Sequence, residues 1–300
     1  LVRYQPAADG KERNMITYAA NIEPLFPGKD IYEKIPLIRK AGISGIEFWS
    51  WADRDVKRIR ELCEDQGVKV TAFSGQQDYS LCDGRKRSEY IEWVKRSIET
   101  AHYLECDSLI AFSNHFENGK SSDLRNIYSW QEEVANIKET LGLLAPILKK
   151  EGITLLLEPL HNHGADGGMA ITDTSQGAEI VRTVNSPKIR LLCDFFHMQL
   201  MHGDLLENVI RNLDIVPYVH IADAPDRHEP GTGEINYSYL MNELRERGFQ
   251  GTACLEFFPE KNTFAAVEQA MKICGFEYAG EEKHGAPAWG SGRKKPMKKS

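Results

Sequence analysis

Three hundred residues, 41% of them hydrophobic, can bury one large core, and length alone admits either a single α/β barrel or two smaller domains. Asp and Glu total 44 against 37 Lys and Arg, a net charge of −7, and Arg293, Lys294, Lys295, Lys298 and Lys299 crowd five of the positives into the C-terminal end. The acidic body that remains lacks the positive footprint of a nucleic-acid binder, and no stretch approaches the roughly 20 apolar residues of a membrane span.

Residues 1–14 are polar and contain no apolar signal-peptide core, so they read as an extension. From Met15 onward, eight short apolar runs follow in turn: 16–22, 45–49, 68–74, 108–113, 153–160, 189–195, 218–222 and 252–257. Longer amphipathic stretches separate them. The clearest covers 130–150, where Val134, Ile137, Leu141, Leu144 and Leu148 recur at helical spacing. Gly42, Gly67, Gly152 and Gly248 each stand between a helical pattern and the next strand, where a left-handed residue ends a helix. The runs are apolar on successive residues, as strands buried on both faces should be. The chain after the first run, Ala20-Asn21-Ile22-Glu23-Pro24, lacks the glycine fingerprint of a doubly wound dinucleotide-binding sheet. Eight βα units spanning 15–276 therefore predict an α/β fold of the (β/α)8 TIM barrel type. Residues 280–300, rich in Gly, Pro and Lys without periodicity, read as a disordered tail.

Six cysteines (Cys63, Cys82, Cys106, Cys193, Cys254 and Cys274) show neither CxxC pairs nor framework spacing, which predicts free thiols and a soluble cytoplasmic protein. No nucleic-acid or membrane partner is expected. Pairing of two copies through an apolar helix face is compatible with the composition, so a homo-oligomer stays open.

In a (β/α)8 barrel the active site lies at the C-terminal ends of the strands. The last four runs end there on Glu158, Asp194, His220 and Glu256. Carboxylates beside apolar runs are costly unless a partner holds their charge, so four such placements point to one divalent metal site. Its mostly oxygen donors suit Mn²⁺ or Mg²⁺ and accept Co²⁺, Fe²⁺ or Zn²⁺. A metal there would polarise the carbonyl of a small α-hydroxycarbonyl substrate and acidify the neighbouring C–H, leaving Glu158 and Glu256 to take and return the proton. Isomerisation or epimerisation is the expected reaction.

His197, three residues past Asp194, and Arg227, in the loop after the seventh run, are candidate substrate contacts. Glu47 and His115, at other run ends, are candidate polar groups of the pocket, and Trp49 and Phe73 candidates for its apolar wall. His161 and His163 lie close behind Glu158 and leave a second metal site open. The segment 231–236 (Gly-Thr-Gly-Glu-Ile-Asn) follows the wrong strand and lacks the lysine of a phosphate loop, so it reads as a tight loop. The long connections 76–87, 115–129 and 161–170 share one face and could cover a substrate.

At these residues the chain resembles the hydroxypyruvate isomerase family, within the wider xylose isomerase-like barrels. The resemblance rests on Tyr18-Ala19-Ala20-Asn21-Ile22, Leu157-Glu158-Pro159-Leu160, Cys193-Asp194-Phe195-Phe196-His197, the stretch 220–235 and Leu255-Glu256-Phe257. It implies that Glu158, Asp194, His220 and Glu256 ligate the metal, that Glu158 and Glu256 form the acid/base pair, and that His197 and Arg227 contact substrate. The implied reaction converts hydroxypyruvate to 2-hydroxy-3-oxopropanoate. The segment 161–168 (His-Asn-His-Gly-Ala-Asp-Gly-Gly) departs from the family pattern on the substrate side. A ketose 3-epimerase, or an inosose isomerase or dehydratase, would use the same metal and glutamates. Phosphodiester hydrolysis and non-catalytic sugar binding are the readings from other classes.

Overall fold

A computed structural model describes residues 16–164 and 167–276. The polar extension at 1–14 and the basic tail at 280–300 lie outside the described residues.

Eight parallel strands close a barrel: β1 (Thr17–Asn21), β2 (Gly45–Phe48), β3 (Lys69–Ser74), β4 (Ser108–Ala111), β7 (Thr154–Leu157), β8 (Ile189–Asp194), β9 (Tyr218–Ile221) and β10 (Thr252–Leu255). Each coincides with one of the eight apolar runs. The loop after β4 holds a short antiparallel hairpin, β5 (Phe116–Glu117) with β6 (Lys120–Ser121), which the sequence pattern does not announce. Helices α1 (Ile31–Lys40), α2 (Val56–Gln66), α3 (Arg87–Tyr103), α4 (Trp130–Glu151), α5 (Thr174–Val184), α6 (Phe195–Met201), α7 (Leu205–Ile210), α8 (Tyr237–Glu246) and α9 (Thr263–Ile273) connect the strands. No helix of the described residues is long and apolar enough to cross a membrane.

The helix boundaries follow local chemistry. Asp30 with Glu33 and Ser129 with Glu132 form reciprocal capping boxes that satisfy the free amides opening α1 and α4. Gly42, Gly67, Gly152 and Gly248 all have positive φ, as their placement before strands predicts. On α4 the expected stripe is the buried one: Ile137, Leu141, Leu144 and Leu148 face the core, and Val134 packs at its edge.

Two apolar layers result. The larger fills the space between strands and helices. The smaller lies inside the barrel and is built from Ala19, Ala72, Ile110, Leu156, Leu192, Tyr218 and Cys254. Side chains two residues apart on a strand share a face. The inward face therefore continues, one step toward the C-terminal mouth, through Asn21, Glu158, Asp194, His220 and Glu256. Parallel register keeps these ends level, with Asp194 opposite His220 and Asn21 opposite Glu47.

All six cysteines are buried and free. Gly251, at the entry to β10, has no room for a side chain, because a Cβ there would stand 2.1 Å from the Pro217 carbonyl oxygen. Gly251→Ala is expected to destabilise the barrel by about 1–3 kcal/mol, the usual cost of overpacking. A thermal melt of the variant beside the parent checks this, and an unchanged midpoint would contradict it.

Candidate active site

The barrel brings Glu158, Asp194, His220 and Glu256 together, all buried, with one potential ligand atom from each lying within 4.8 Å of the others. His220 is the hub. Its Nδ1 lies 3.1 Å from Glu158 Oε1, 2.9 Å from Glu256 Oε2 and 3.9 Å from Asp194 Oδ2, while its Nε2 lies 3.0 Å from Glu47 Oε2. Burial alone would lower the His220 pKa, but Glu47, Glu256 and Glu158 outweigh it and raise it well above the usual histidine range. That direction favours the protonated imidazole, which faces carboxylates at both nitrogens.

The two glutamates have unlike surroundings. Burial pushes Glu158 up to about 7, against the pull of His220. Burial also acts on Glu256, but His220 and Arg227 overcome it and hold that carboxyl well below its usual range. Glu256 Oε1 accepts from Asn21 Nδ2 at 2.9 Å and from the Trp49 indole at 2.9 Å, and Oε2 accepts from Arg227 Nη2 at 2.6 Å. Asp194 is raised by burial, with Arg227 3.0 Å away opposing the shift. Its other oxygen caps α6, accepting from the Phe196 amide at 2.8 Å, so one residue ends a strand, opens a helix and faces the cluster.

The remaining candidates differ in whether they reach the cluster. Arg227 and His197 join the cluster: Arg227 reaches Asp194 and Glu256, and its Nη1 lies 2.9 Å from His197 Nε2. His197 is buried and stacks on His161, their Nδ1 atoms 2.6 Å apart. Burial, with Arg227 adding to it, lowers both histidines, His161 to about 4, so both are neutral. Arg227 Nη1 faces His197 Nε2, and the His161 backbone amide faces His197 Nδ1 at 3.3 Å, so donors approach the ring from both sides.

Glu47 stands behind His220 rather than along a pocket wall. It is fully buried and accepts from His220 and, at 2.8 Å, from Asn21. His115 bonds Ser80 at 2.9 Å in the loop layer, and no hydrogen bond ties it to the carboxylates. Phe73 is buried against Phe48 in the outer core instead of forming a wall, whereas Trp49 is 47% exposed beside Glu256. His163 lies near His161, ring centroids 5.9 Å apart, and does not join the acidic group. A cleft of about 390 Å³ is lined by Arg125, Trp130, Glu133, Asn162 and Met169 and by none of the four cluster residues.

Asn21 is the side chain of the site that a search for metal-type residues passes over. Asn21 is legible afterwards as the inward residue two past Ala19, the step that links Leu156 to Glu158.

Three carboxylates and an imidazole converging at one buried point form a donor set that fits a divalent cation. Glu47 behind the other ring nitrogen is the kind of partner that orients a metal-binding histidine.

The model of the xylose isomerase-like TIM barrel family matches residues 35–274. The chain belongs to that family. Among relatives of this family member, Escherichia coli hydroxypyruvate isomerase is 28% identical over 261 residues, covering 84% of this chain and 97% of the relative. Haemophilus influenzae 2-oxo-tetronate isomerase is 26% identical over 266 residues, covering 86% and 99%. A crystal structure described as an AP endonuclease, family 2, from Brucella melitensis superposes with a TM-score of 0.78 at 26% identity, covering 85% of this chain and 98% of that one. Both curated relatives are isomerases by name.

Because a metal at His220 Nδ1 must displace a proton, Mn²⁺ affinity is expected to rise with pH between 6 and 8. The expected slope is about tenfold per pH unit for each proton released. Calorimetric titration across that range checks it, and a flat profile would remove His220 from the ligand set.

Proposed function

We propose that this protein is a metal-dependent isomerase of a small α-hydroxycarbonyl acid, interconverting hydroxypyruvate and 2-hydroxy-3-oxopropanoate. The observation that carries the reading is the convergence of two buried glutamates, Glu158 and Glu256, with Asp194 and His220 at the barrel mouth. The named activities of the curated relatives point the same way.

Glu158, Asp194, His220 and Glu256 would hold the cation. When bound, Mn²⁺ or Mg²⁺ supplies Lewis acidity that makes the C–H beside the substrate carbonyl easier to ionise. The chain's own residues do the rest. One glutamate removes the proton from the hydroxymethyl carbon and a proton is returned to the neighbouring carbon, while the hydroxyl proton passes from the C3 oxygen to the C2 oxygen, shifting the carbonyl by one position. The different surroundings of Glu158 and Glu256 suit one to accept while the other donates. Asn21 and Trp49 fix Glu256 Oε1, while Oε2 is the oxygen turned toward His220 and Arg227. Arg227 and the His161–His197 pair stand at the same mouth and offer donors to a substrate carboxylate.

Metal-loaded protein is expected to turn over hydroxypyruvate and, in D₂O, to place deuterium on the substrate carbon. Glu158→Gln and Glu256→Gln are each expected to lower turnover by about 10²–10⁴-fold, the range of general acid–base catalysis. Mass spectrometry of the product reads both. If Mn²⁺ binds and no α-hydroxycarbonyl acid exchanges, the proposal fails; exchange with ketoses alone would move the substrate to the sugar epimerases.

A further inference from the structure

We infer that Asp223 is the positioning residue that sets Arg227 in the mouth of the barrel, by acting as the buried core around which the loop after β9 is wound. The activity arm of the argument rests on the isomerase reading above; the structural arm does not.

Asp223 follows β9 by two residues and is 1% exposed. Its carboxylate accepts from four backbone amides. Oδ1 takes Ala224 at 3.0 Å and Ile235 at 3.0 Å, and Oδ2 takes Gly231 at 2.8 Å and Gly233 at 3.0 Å. All four donors belong to the loop 224–235, so one side chain gathers both of its ends. The backbone closes the same loop: the Asp223 amide donates to the His228 carbonyl at 2.8 Å, and the Glu234 amide to the Ala224 carbonyl at 3.1 Å. Packing is tight enough that a Cβ on Gly233 would lie 1.9 Å from Ala224 O and 2.7 Å from Asp223 Oδ1.

Arg227 sits within this coil in a left-handed conformation, φ 58°. Its carbonyl accepts from the Phe258 amide at 2.8 Å, and its guanidinium reaches Asp194, Glu256 and His197. A long side chain on a loop is a poor fixed point unless the backbone beneath it is held. Holding it beforehand removes the entropy cost of ordering it when substrate arrives. Asp223 touches neither the cluster's ligand atoms nor the reaction space, so its influence travels through the loop to Arg227.

Asp223→Asn is the discriminating substitution. It leaves no cavity, but an amide cannot accept at both ends, and its NH₂ would face amide donors in place of an acceptor. In the intact variant, hydrogen exchange is expected to quicken in peptides spanning 224–235 and stay unchanged in β7 and β8. On hydroxypyruvate with Mn²⁺, kcat/KM is expected to fall by about 10²-fold, the scale of a misplaced contact. In an Arg227→Ala background the same substitution is expected to change kcat/KM by no more than about twofold, because the contact it acts through is gone. Equal losses in both backgrounds, undiminished activity, or unchanged exchange in the loop would each overturn the inference.

If the parent protein turns over no substrate, the isomerase reading fails and the cycle is read in Mn²⁺ affinity instead. Arg227→Ala removes a cation 2.6 Å from Glu256 and should tighten Mn²⁺ binding. Asp223→Asn should then tighten it only where Arg227 is present, and tightening in both backgrounds or in neither would overturn the inference. Should Asp223→Asn not fold, Asp223→Ser, which keeps an acceptor oxygen, carries the same measurements.

Discussion

Four carboxylates, those of Glu47, Glu158, Asp194 and Glu256, lie buried at one end of a closed barrel, and the rest of the site is arranged around the cost of putting them there. Isolated, such charges could not stay ionised away from water. His220 answers for Glu47, Glu158 and Glu256, and Arg227 for Asp194 and Glu256, while Asn21 ties Glu47 to Glu256 through two N–H bonds. Few of these partners is replaceable alone, because each touches more than one acid. The same excess of negative charge is what makes the pocket attractive to a divalent cation.

The barrel makes this arrangement possible through strict geometry. A period of two along each strand puts the acids on the inward face, above an apolar plug that ends in Leu156, Leu192, Tyr218 and Cys254. Parallel pairing levels the strand ends, so residues far apart in the chain meet without loops having to carry them. The groups that lie beyond the strands, Arg227 and His161 on loops and His197 on α6, need separate support. For Arg227 that support is the coil fastened to Asp223, and for His197 it is α6, whose first turn is capped by Asp194.

Much of this was open to reading in the chain. The eight strands, the glycines that end the helices and the buried stripe of α4 all follow from local spacing, because a strand buried on both faces and an amphipathic helix each leave a pattern within a few residues. The acids at the ends of the last four runs stand out for the same reason. Glu47, His115 and Phe73 show where that reasoning stops. All three lie at or beside run ends, yet one turns in behind His220, one bonds Ser80 in the loops, and one packs between strands and helices.

The sequence by itself determined the alternation of elements, the barrel class and the chemical character of the mouth, since each depends on neighbours a few positions apart. Only the tertiary structure decided which nitrogen of His220 faces which acid, that Asn21 joins two carboxylates 26 and 235 residues away, and that Asp223 binds loop amides instead of joining the cluster. Hydrogen bonds are directional and reach about 3 Å. Whether two polar groups meet is therefore settled by barrel closure, register and loop path, none of which is written in the spacing of residues along the chain.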